Sequence, residues 1–448
     1  MRPLFMTIGI GLLGLGTVGA GVAQILATPQ GRHPLVAELA LRRVAVRDLQ
    51  RPRPIALDAA LLSTEPEAVV DDPAVDIVVE VMGGLEPARS LILRAIAAGK
   101  PVVTANKAVI ARYGEEIAAA AAERGVYVLI EAAVGGGIPI IEPLKQSLGA
   151  NRITRVSGII NGTTNYILSR MADEGAAYGE VLADAQRLGY AEADPAADVQ
   201  GGDAADKIAI LAALAYGGSV PRADIPATGI DRLDARDVAY ADRLGYGVKL
   251  LAVAEQVGHA ADGSAELDIS VNPTLVPRDH PLAGVHGVNN AILVEGDPVG
   301  RVMFYGPGAG AGPTASAVVA DILNIAGIRQ VSGAVAPGQP APLDPLLAAG
   351  SWRACRLVDP AQTRHRNYVR LRTTDQAGVI GRIGTCFGDA GVSLQSIVQF
   401  QAPSGSSDGE AEIVVITHEV SEAAFRKAMA AIEALPVVDH VAACLRTL

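Results

Sequence analysis

The chain has 448 residues, half of them apolar, and a formal charge of −11 at neutral pH. That length exceeds one hydrophobic core and points to roughly two to four domains. The acid excess repels phosphate backbones and anionic bilayers, which argues against nucleic acid and membrane surfaces as partners. The three cysteines, Cys355, Cys386 and Cys444, fall late, form no CxxC pair and are odd in number. They read as buried thiols in a reducing compartment rather than as disulfides or zinc ligands. The N-terminal MRPLFMTIGIGLLGLGTVG is apolar but interrupted by glycines before it could span a bilayer, so a cytoplasmic location is expected.

From Thr7 a short apolar strand enters Gly14-x-Gly16-x-x-Gly19 and continues as an Ala/Val/Leu helix. Glycines there close the turn, admit a pyrophosphate to the backbone and let helix pack on strand, while the helix start around Thr17 and Val18 offers free N–H groups. The next strand, LALRRVAVRDL, ends in Arg47-Asp48. Acid at that point favours NAD(H) and arginine favours NADP(H); the pair is ambiguous, with NADP(H) preferred. Two further strand–helix steps, VDIVVEVMGG and PVVTANK, place Gly83, Gly84, Thr104, Asn106 and Lys107 at strand ends, where ligands sit in parallel sheets. Lys107 could equally be a solvated lysine opening a helix. YVLIEAAVGGGIPIIEPLKQSL then carries Glu131 into three glycines and a helix with Pro139 in its first turn. A carboxylate beside glycine-freed carbonyls holds a monovalent cation or simply closes a turn, and both readings stay open.

After Asn151 the pattern becomes a β-branched strand, a turn at Asn161-Gly162 and a helix from about Thr163. The stretch GYAEADPAADVQGGDAADK follows, with Glu192, Asp194, Asp198, Asp203 and Asp206 ahead of a single Lys207 and an apolar helical run. Asp203 and Lys207 are four residues apart, so a helix starting near Gly202 puts them on one face. Taken alone, this is more often a solvated acidic turn with a weak surface ion pair. The strand-like runs LLAVAEQV, AELDISVNPTLVP and NAILVEGD suggest a mixed sheet. The second glycine loop, FYGPGAGAGP, opens another helix and brings the chain back to the nucleotide fold with Gly306 and Gly308 against the cofactor.

Together GLLGLGTVG, TANKA, EAAVGGGIP, SGIINGTTNYIL, GYAEADPAADVQGGDAADK and FYGPGAG resemble the homoserine dehydrogenases, in their monofunctional form. The resemblance implies an NAD(P)-dependent oxidoreductase interconverting L-aspartate 4-semialdehyde and L-homoserine, in threonine, methionine and isoleucine biosynthesis. It implies Lys207 as proton donor and acceptor with Asp203 beside it, and Glu192, Asp198, Asp203, Lys107 and Gly189 around the amino acid. The cofactor set is Gly14, Gly16, Thr17, Val18, Gly19, Arg47, Gly83, Thr104, Lys107, Gly189, Glu192 and Gly306. A sodium or potassium ion falls on Glu131 with Val134, Gly136 and Ile138. The chemistry agrees: hydride delivery to an aldehyde leaves an alkoxide, and a lysine supplies both charge and proton. A homo-oligomer, dimer or tetramer, is implied by resemblance only.

Residues 331–366 are rich in Pro, Ala and Gly and read as a connector. Beyond it, NYVRLRTT, GVIGRIGTCFGDAG, SLQSIVQFQ, AEIVVITHEV, a helix from about Ser421 and VVDHVAACL give the order βαββαβ, ferredoxin-like. Val379, Ile380, Ile383, Cys386 and Phe387 are expected on one buried helix face. With Asp375, Gly378, Val379 and Ile380 at its first turn, this segment is similar to an ACT domain, which implies threonine as effector. An ACT-like domain that only assists oligomerisation is the competing reading. The expected architecture is α/β: a Rossmann-type domain over 1–137 plus about 306–330, an α+β mixed-sheet substrate and dimerisation domain over 138–305, a linker over 331–365 and an ACT domain over 366–448. Two other functions fit parts of the chain. A non-catalytic sensor would lack the lysine and acids of the middle stretch, which are present. A 2-hydroxy-acid dehydrogenase would need a catalytic histidine, and His33, His259, His280, His286, His365, His418 and His440 avoid every dehydrogenase motif above.

Overall fold

The computed structural model describes residues 7–332, 343–344, 347–348, 350–351, 353–401 and 410–448. Most of the expected linker, and the loop SGSSDG, lie outside the described residues. The first unit alternates strand and helix: β1 (Ile8–Leu13), α1 (Thr17–Ala27), β2 (Leu39–Ala45), β3 (Leu62–Ser63), α2 (Pro66–Asp71), β4 (Ile77–Glu80), α3 (Ala88–Ala97), β5 (Val102–Thr104), α4 (Lys107–Arg124) and β6 (Val128–Leu129). All strand pairs are parallel, in the order β3-β2-β1-β4-β5-β6. Every residue of β1 and β4 is buried, as expected where helices cover both faces of a parallel sheet.

The second unit runs β7 (Arg152–Ile159), α5 (Gly162–Glu174), α6 (Tyr178–Arg187), α7 (Ala196–Val199), α8 (Gly202–Tyr216), α9 (Ala235–Arg243), β8 (Tyr246–His259), β9 (Ala265–Pro277), β10 (Asn289–Asp297) and β11 (Gly300–Pro307). The chain returns to the first unit through α10 (Ala311–Ser332). By length and composition α10 could cross a bilayer, but half of its apolar window is buried. Ala315, Val318, Ile322 and Ile325 pack with β1 and β4 residues, and a Cβ on Gly21 of α1 would press on Ala311 and Ala315.

The last unit comprises β12 (Cys355–Leu357), β13 (Arg364–Thr374), α11 (Val379–Asp389), β14 (Leu394–Gln401), β15 (Glu410–Thr417), β16 (Val420–Ser421), α12 (Glu422–Glu433) and β17 (Val438–Thr447). Its strand order, β17-β13-β15-β14, is that of a ferredoxin-like sheet. The middle and last sheets are continuous: β17 pairs with β9 at Arg446 with Thr274 and Thr447 with Leu275, giving one sheet of eleven strands. Part of the expected connector also joins it, since β12 pairs with β9.

Three expectations are corrected here. Cys444 is exposed, because alternation along β17 sends Leu445 inward and Cys444 outward, and Cys355 and Cys386 are half-buried. On α11, Val379, Ile383 and Phe387 are buried, but Ile380 turns outward. Pro139 precedes the helix rather than opening it, because the Glu131 carboxylate takes the amides of Ile140, Ile141 and Glu142 and fixes the start there.

Candidate active site

Helix α8 begins at Gly202, so Asp203 and Lys207 occupy successive turns of one face. Both are buried, and their charged atoms meet at 2.7 Å. The Lys207 ammonium also donates to the Ile160 carbonyl at 2.7 Å. Lys107, first residue of α4, approaches the other Asp203 oxygen at 3.0 Å. One carboxylate therefore joins two lysines from different units. Burial pushes the Asp203 carboxyl up, but Lys207 and Lys107 outweigh it and hold the group well below the usual carboxylate range. Asp203 in turn raises the Lys107 ammonium, against burial. Asn161 completes the cluster with one amide nitrogen shared between Asp198 at 2.7 Å and Asp203 at 2.9 Å. Thr163 also reaches Asp198, at 3.3 Å. Burial, then the nearby Asp203 charge, raises the Asp198 carboxyl. Asp206, on the same helix, is spent elsewhere, holding Arg112 at 3.1 Å and Arg222 at 2.7 Å. Glu192 is exposed and its carboxylate has no protein partner among the described residues; Gly189 ends α6 with φ +78°.

At the strand ends of the first sheet a cavity of about 730 Å³ is lined by Gly14, Gly16, Thr17, Arg47 and Gly83 among others. Gly14 has φ +103°, and a Cβ on Gly19 would collide with the Gly14 carbonyl oxygen. Gly16 gives α1 no side-chain cap, and the Thr17 and Val18 amides have no acceptor among the described residues. Arg47 is exposed without a partner among them, whereas the Asp48 carboxylate turns back onto the Gln50 amide at 2.8 Å. Thr104 does not present its side chain to this cavity: it is fully buried, donates to Glu80 at 2.6 Å and accepts from the Asn106 amide at 3.0 Å. Gly308 is a glycine for packing reasons, since a Cβ there would collide with the buried Asn290 amide. Gly306 sits on β11 against Ile138.

The Glu131 carboxylate is buried and accepts the Ile140, Ile141 and Glu142 amides at 2.6, 2.9 and 2.8 Å. Its own amide donates to buried Asp321 at 2.8 Å. Burial raises the Glu131 carboxyl, opposed by these three amides. Among the described residues no hydrogen bond uses the carbonyls of Val134, Gly136 or Ile138, and Gly136 has φ +57°.

The homoserine dehydrogenase family model matches residues 139–323, its NAD-binding domain model matches 14–131 and the ACT domain model matches 367–437. A homoserine dehydrogenase from Synechocystis is 57% identical, covering 99% of this chain and 100% of its own. The chain belongs to the homoserine dehydrogenase family. A homoserine dehydrogenase structure from Thiobacillus denitrificans superposes with a TM-score of 0.85 at 42% identity, covering 98% of each chain. A hyperthermophilic archaeal homoserine dehydrogenase in complex with NADPH gives 0.60 at 29%, covering 73% of this chain and 99% of that one. As a homoserine dehydrogenase, this chain is an oxidoreductase with an NAD(P)-binding domain and an ACT domain.

In this homoserine dehydrogenase, sequence reasoning passed over Asn161, Thr163 and Ile160. Asn161 read as a turn residue, yet it is the N-cap of α5, with its side-chain oxygen on the Thr164 amide and its nitrogen on the acids. Asn followed by an apolar helix was the available signal. The Ile160 carbonyl carries none. At the ACT turn, Asp375 accepts from Gln399 at 3.0 Å, Gly378 has φ +89°, and Val379 is buried in the domain core with its amide on the Gln376 carbonyl at 3.3 Å.

Proposed function

We propose that Lys207 moves the proton in the interconversion of L-homoserine and L-aspartate 4-semialdehyde. The observation that carries this is the lysine's hydrogen-bond count. An ammonium has three N–H groups, and the Ile160 carbonyl and Asp203 take two, leaving one for the substrate oxygen. The ammonium held this way stabilises the alkoxide of the reducing direction and gives up a proton to it, leaving a neutral amine; in the oxidising direction that neutral amine receives the hydroxyl proton and becomes the ammonium again. Asp203 keeps Lys207 and Lys107 from repelling each other and fixes both. Lys107 adds a second positive charge near the developing oxyanion. Glu192, exposed and unpaired, takes the substrate ammonium, and Asp198 orients Asn161 beside it.

The nicotinamide cofactor supplies and receives the hydride. Gly16, Thr17, Val18 and Gly19 would hold its pyrophosphate, since their amides have no acceptor among the described residues, while Gly14, whose amide is on the Ala45 carbonyl, closes the turn and Gly19 admits no Cβ. NADP(H) is favoured over NAD(H) because Arg47 is unpaired while the Asp48 carboxylate is used within its own loop. A sodium or potassium ion fits Glu131 with the carbonyls of Val134, Gly136 and Ile138, an all-oxygen set whose carbonyls make no other bond. The enzyme is read as a cytoplasmic homo-oligomer joined through the middle sheet, whose edge strand β11 exposes Met303 and Tyr305, with L-threonine as its effector.

The test is homoserine oxidation followed at the reduced-nicotinamide absorbance. Wild type is expected to turn over with NADP⁺ in preference to NAD⁺, and Lys207→Ala to lose about 10²- to 10⁴-fold in kcat with NADPH binding retained. Parallel loss of cofactor binding makes Lys207 a structural residue instead.

A further inference from the structure

Helix α4 belongs to the nucleotide unit and α8 to the substrate unit, yet their first turns meet at the lysine cluster through Lys107 and Asp203. Two further side-chain links join the same helices and units. Asp206 of α8, 7% exposed, holds Arg112 of α4 on one carboxylate oxygen at 3.1 Å and Arg222 on the other at 2.7 Å. Glu115 of α4 accepts from the Ser219 hydroxyl, just past the end of α8.

Each arginine is also tied to the backbone of its own unit. Arg112 Nη1 donates to the Ala108 carbonyl at 3.0 Å, next in the chain to Lys107, and Arg222 Nη2 donates to the Gly202 carbonyl at 3.2 Å, next to Asp203. The Asp206 carboxylate thus joins backbone beside one member of the Lys107–Asp203 pair to backbone beside the other. Ile110 and Ala111 of α4 pack on the substrate-unit core and hold the two helices together. Apolar contact is non-directional and does not fix how far one helix sits along the other, whereas charge-assisted hydrogen bonds of set length and angle do.

We propose that Arg112 and Asp206 are positioning residues for the dehydrogenase reaction: their ion pair, with Arg222 fastening Asp206 from the substrate unit, sets where Lys107 stands relative to Lys207. The cofactor is carried by the nucleotide unit and the amino acid by the substrate unit, so the register of α4 on α8 also sets the approach of hydride donor to acceptor. A displacement of about 1 Å there is enough to cost on the order of 10²-fold in rate. This rests on the reading of Lys207 and Lys107 as the groups at the reacting oxygen, and adds the residues that hold them in register.

The test is steady-state homoserine oxidation by the full-length enzyme, with NADPH sites per chain titrated in parallel. Arg112→Met is expected to lower kcat about tenfold, with KM for homoserine and for NADP⁺ each changed less than about twofold. Melting temperature should stay near that of wild type, because a partly exposed ion pair contributes little stability. Arg112→Lys should recover part of the rate, keeping the charge without the planar fork that reaches Ala108 and Asp206 together. Adding Asp206→Asn to Arg112→Met should cost less than the two single changes summed as free energies. Homoserine deuterated at its hydroxyl-bearing carbon should give an isotope effect on kcat no smaller than in wild type, since hydride transfer is the step that slows. A wild-type kcat in Arg112→Met overturns the proposal, as does a loss of kcat matched by an equal loss of NADPH sites, an additive double variant or a diminished isotope effect. Turnover of Lys207→Ala at the wild-type rate overturns the lysine reading itself and the proposal with it, so the two failures are told apart.

Discussion

Asp203 shows how one residue sets the character of its neighbours. Buried Lys207 and partly exposed Lys107, each within reach of the same partner, would repel, and the shared carboxylate converts that repulsion into a fixed geometry. Its i,i+4 relation to Lys207 was legible because helix spacing is regular. The role of Ile160 was not, since a carbonyl has no residue type. Lys249 is the opposite case, a buried lysine with no carboxylate in ion-pair contact among the described residues: its ammonium bonds the Val285 carbonyl, with Asn165 at 3.4 Å. Burial lowers it from 10.5 to about 8. Because the folded value lies below the unfolded one, the penalty is full below about pH 8 and is relieved as pH rises toward 10.5. Lys249→Met is therefore expected to stabilise the fold by about 2 kcal/mol at pH 7, with a smaller gain at pH 9.5. Urea unfolding at both pH values measures this.

At the scale of elements, the glycine turn and α1 form one unit. Gly19→Ala would drive a methyl into the Gly14 carbonyl and push the helix off the strand. The expected outcome is a rise of about tenfold or more in KM for NADP⁺ with KM for homoserine little changed, read from initial rates at varied concentrations of each. The strand–turn–helix pattern and the βαββαβ order were legible because each leaves a period or a punctuation in the residues. The pairing of β17 with β9 leaves neither: it is two residues long, parallel, and joins segments about 170 positions apart. The start of the helix after Glu131 was misplaced for a related reason, since a distant-looking acid rather than the local proline decides it.

Across the whole molecule, the ACT unit is fastened by a buried ionic cluster. Arg370 of β13 binds Asp237 of α9 at 2.7 Å and Glu412 of β15 at 2.9 Å, all three 1% exposed at their side chains. Tyr368 adds a bond to Asp237 at 3.0 Å, and Tyr240 one to Glu412 at 2.6 Å. Arg370→Met would leave Asp237 buried without its cation and Glu412 with Arg236 in place of two arginines, at a cost of about 3–5 kcal/mol. Thermal unfolding should show this as a lowered first transition, whereas replacing Arg370, Asp237 and Glu412 together by apolar residues should recover most of the loss. None of this was legible, because charged residues in sequence read as surface.

The continuous sheet has one more consequence. Because β17 lies along β9 and Arg370 reaches into α9, the C-terminal module cannot be cut away cleanly. Ending the chain before β13 would bare the backbone of Thr274 and Leu275 as a raw edge open to pairing with other chains, and would strand Asp237 in an apolar setting. A catalytic fragment of this chain would need a new cover for that edge before it could stay in solution.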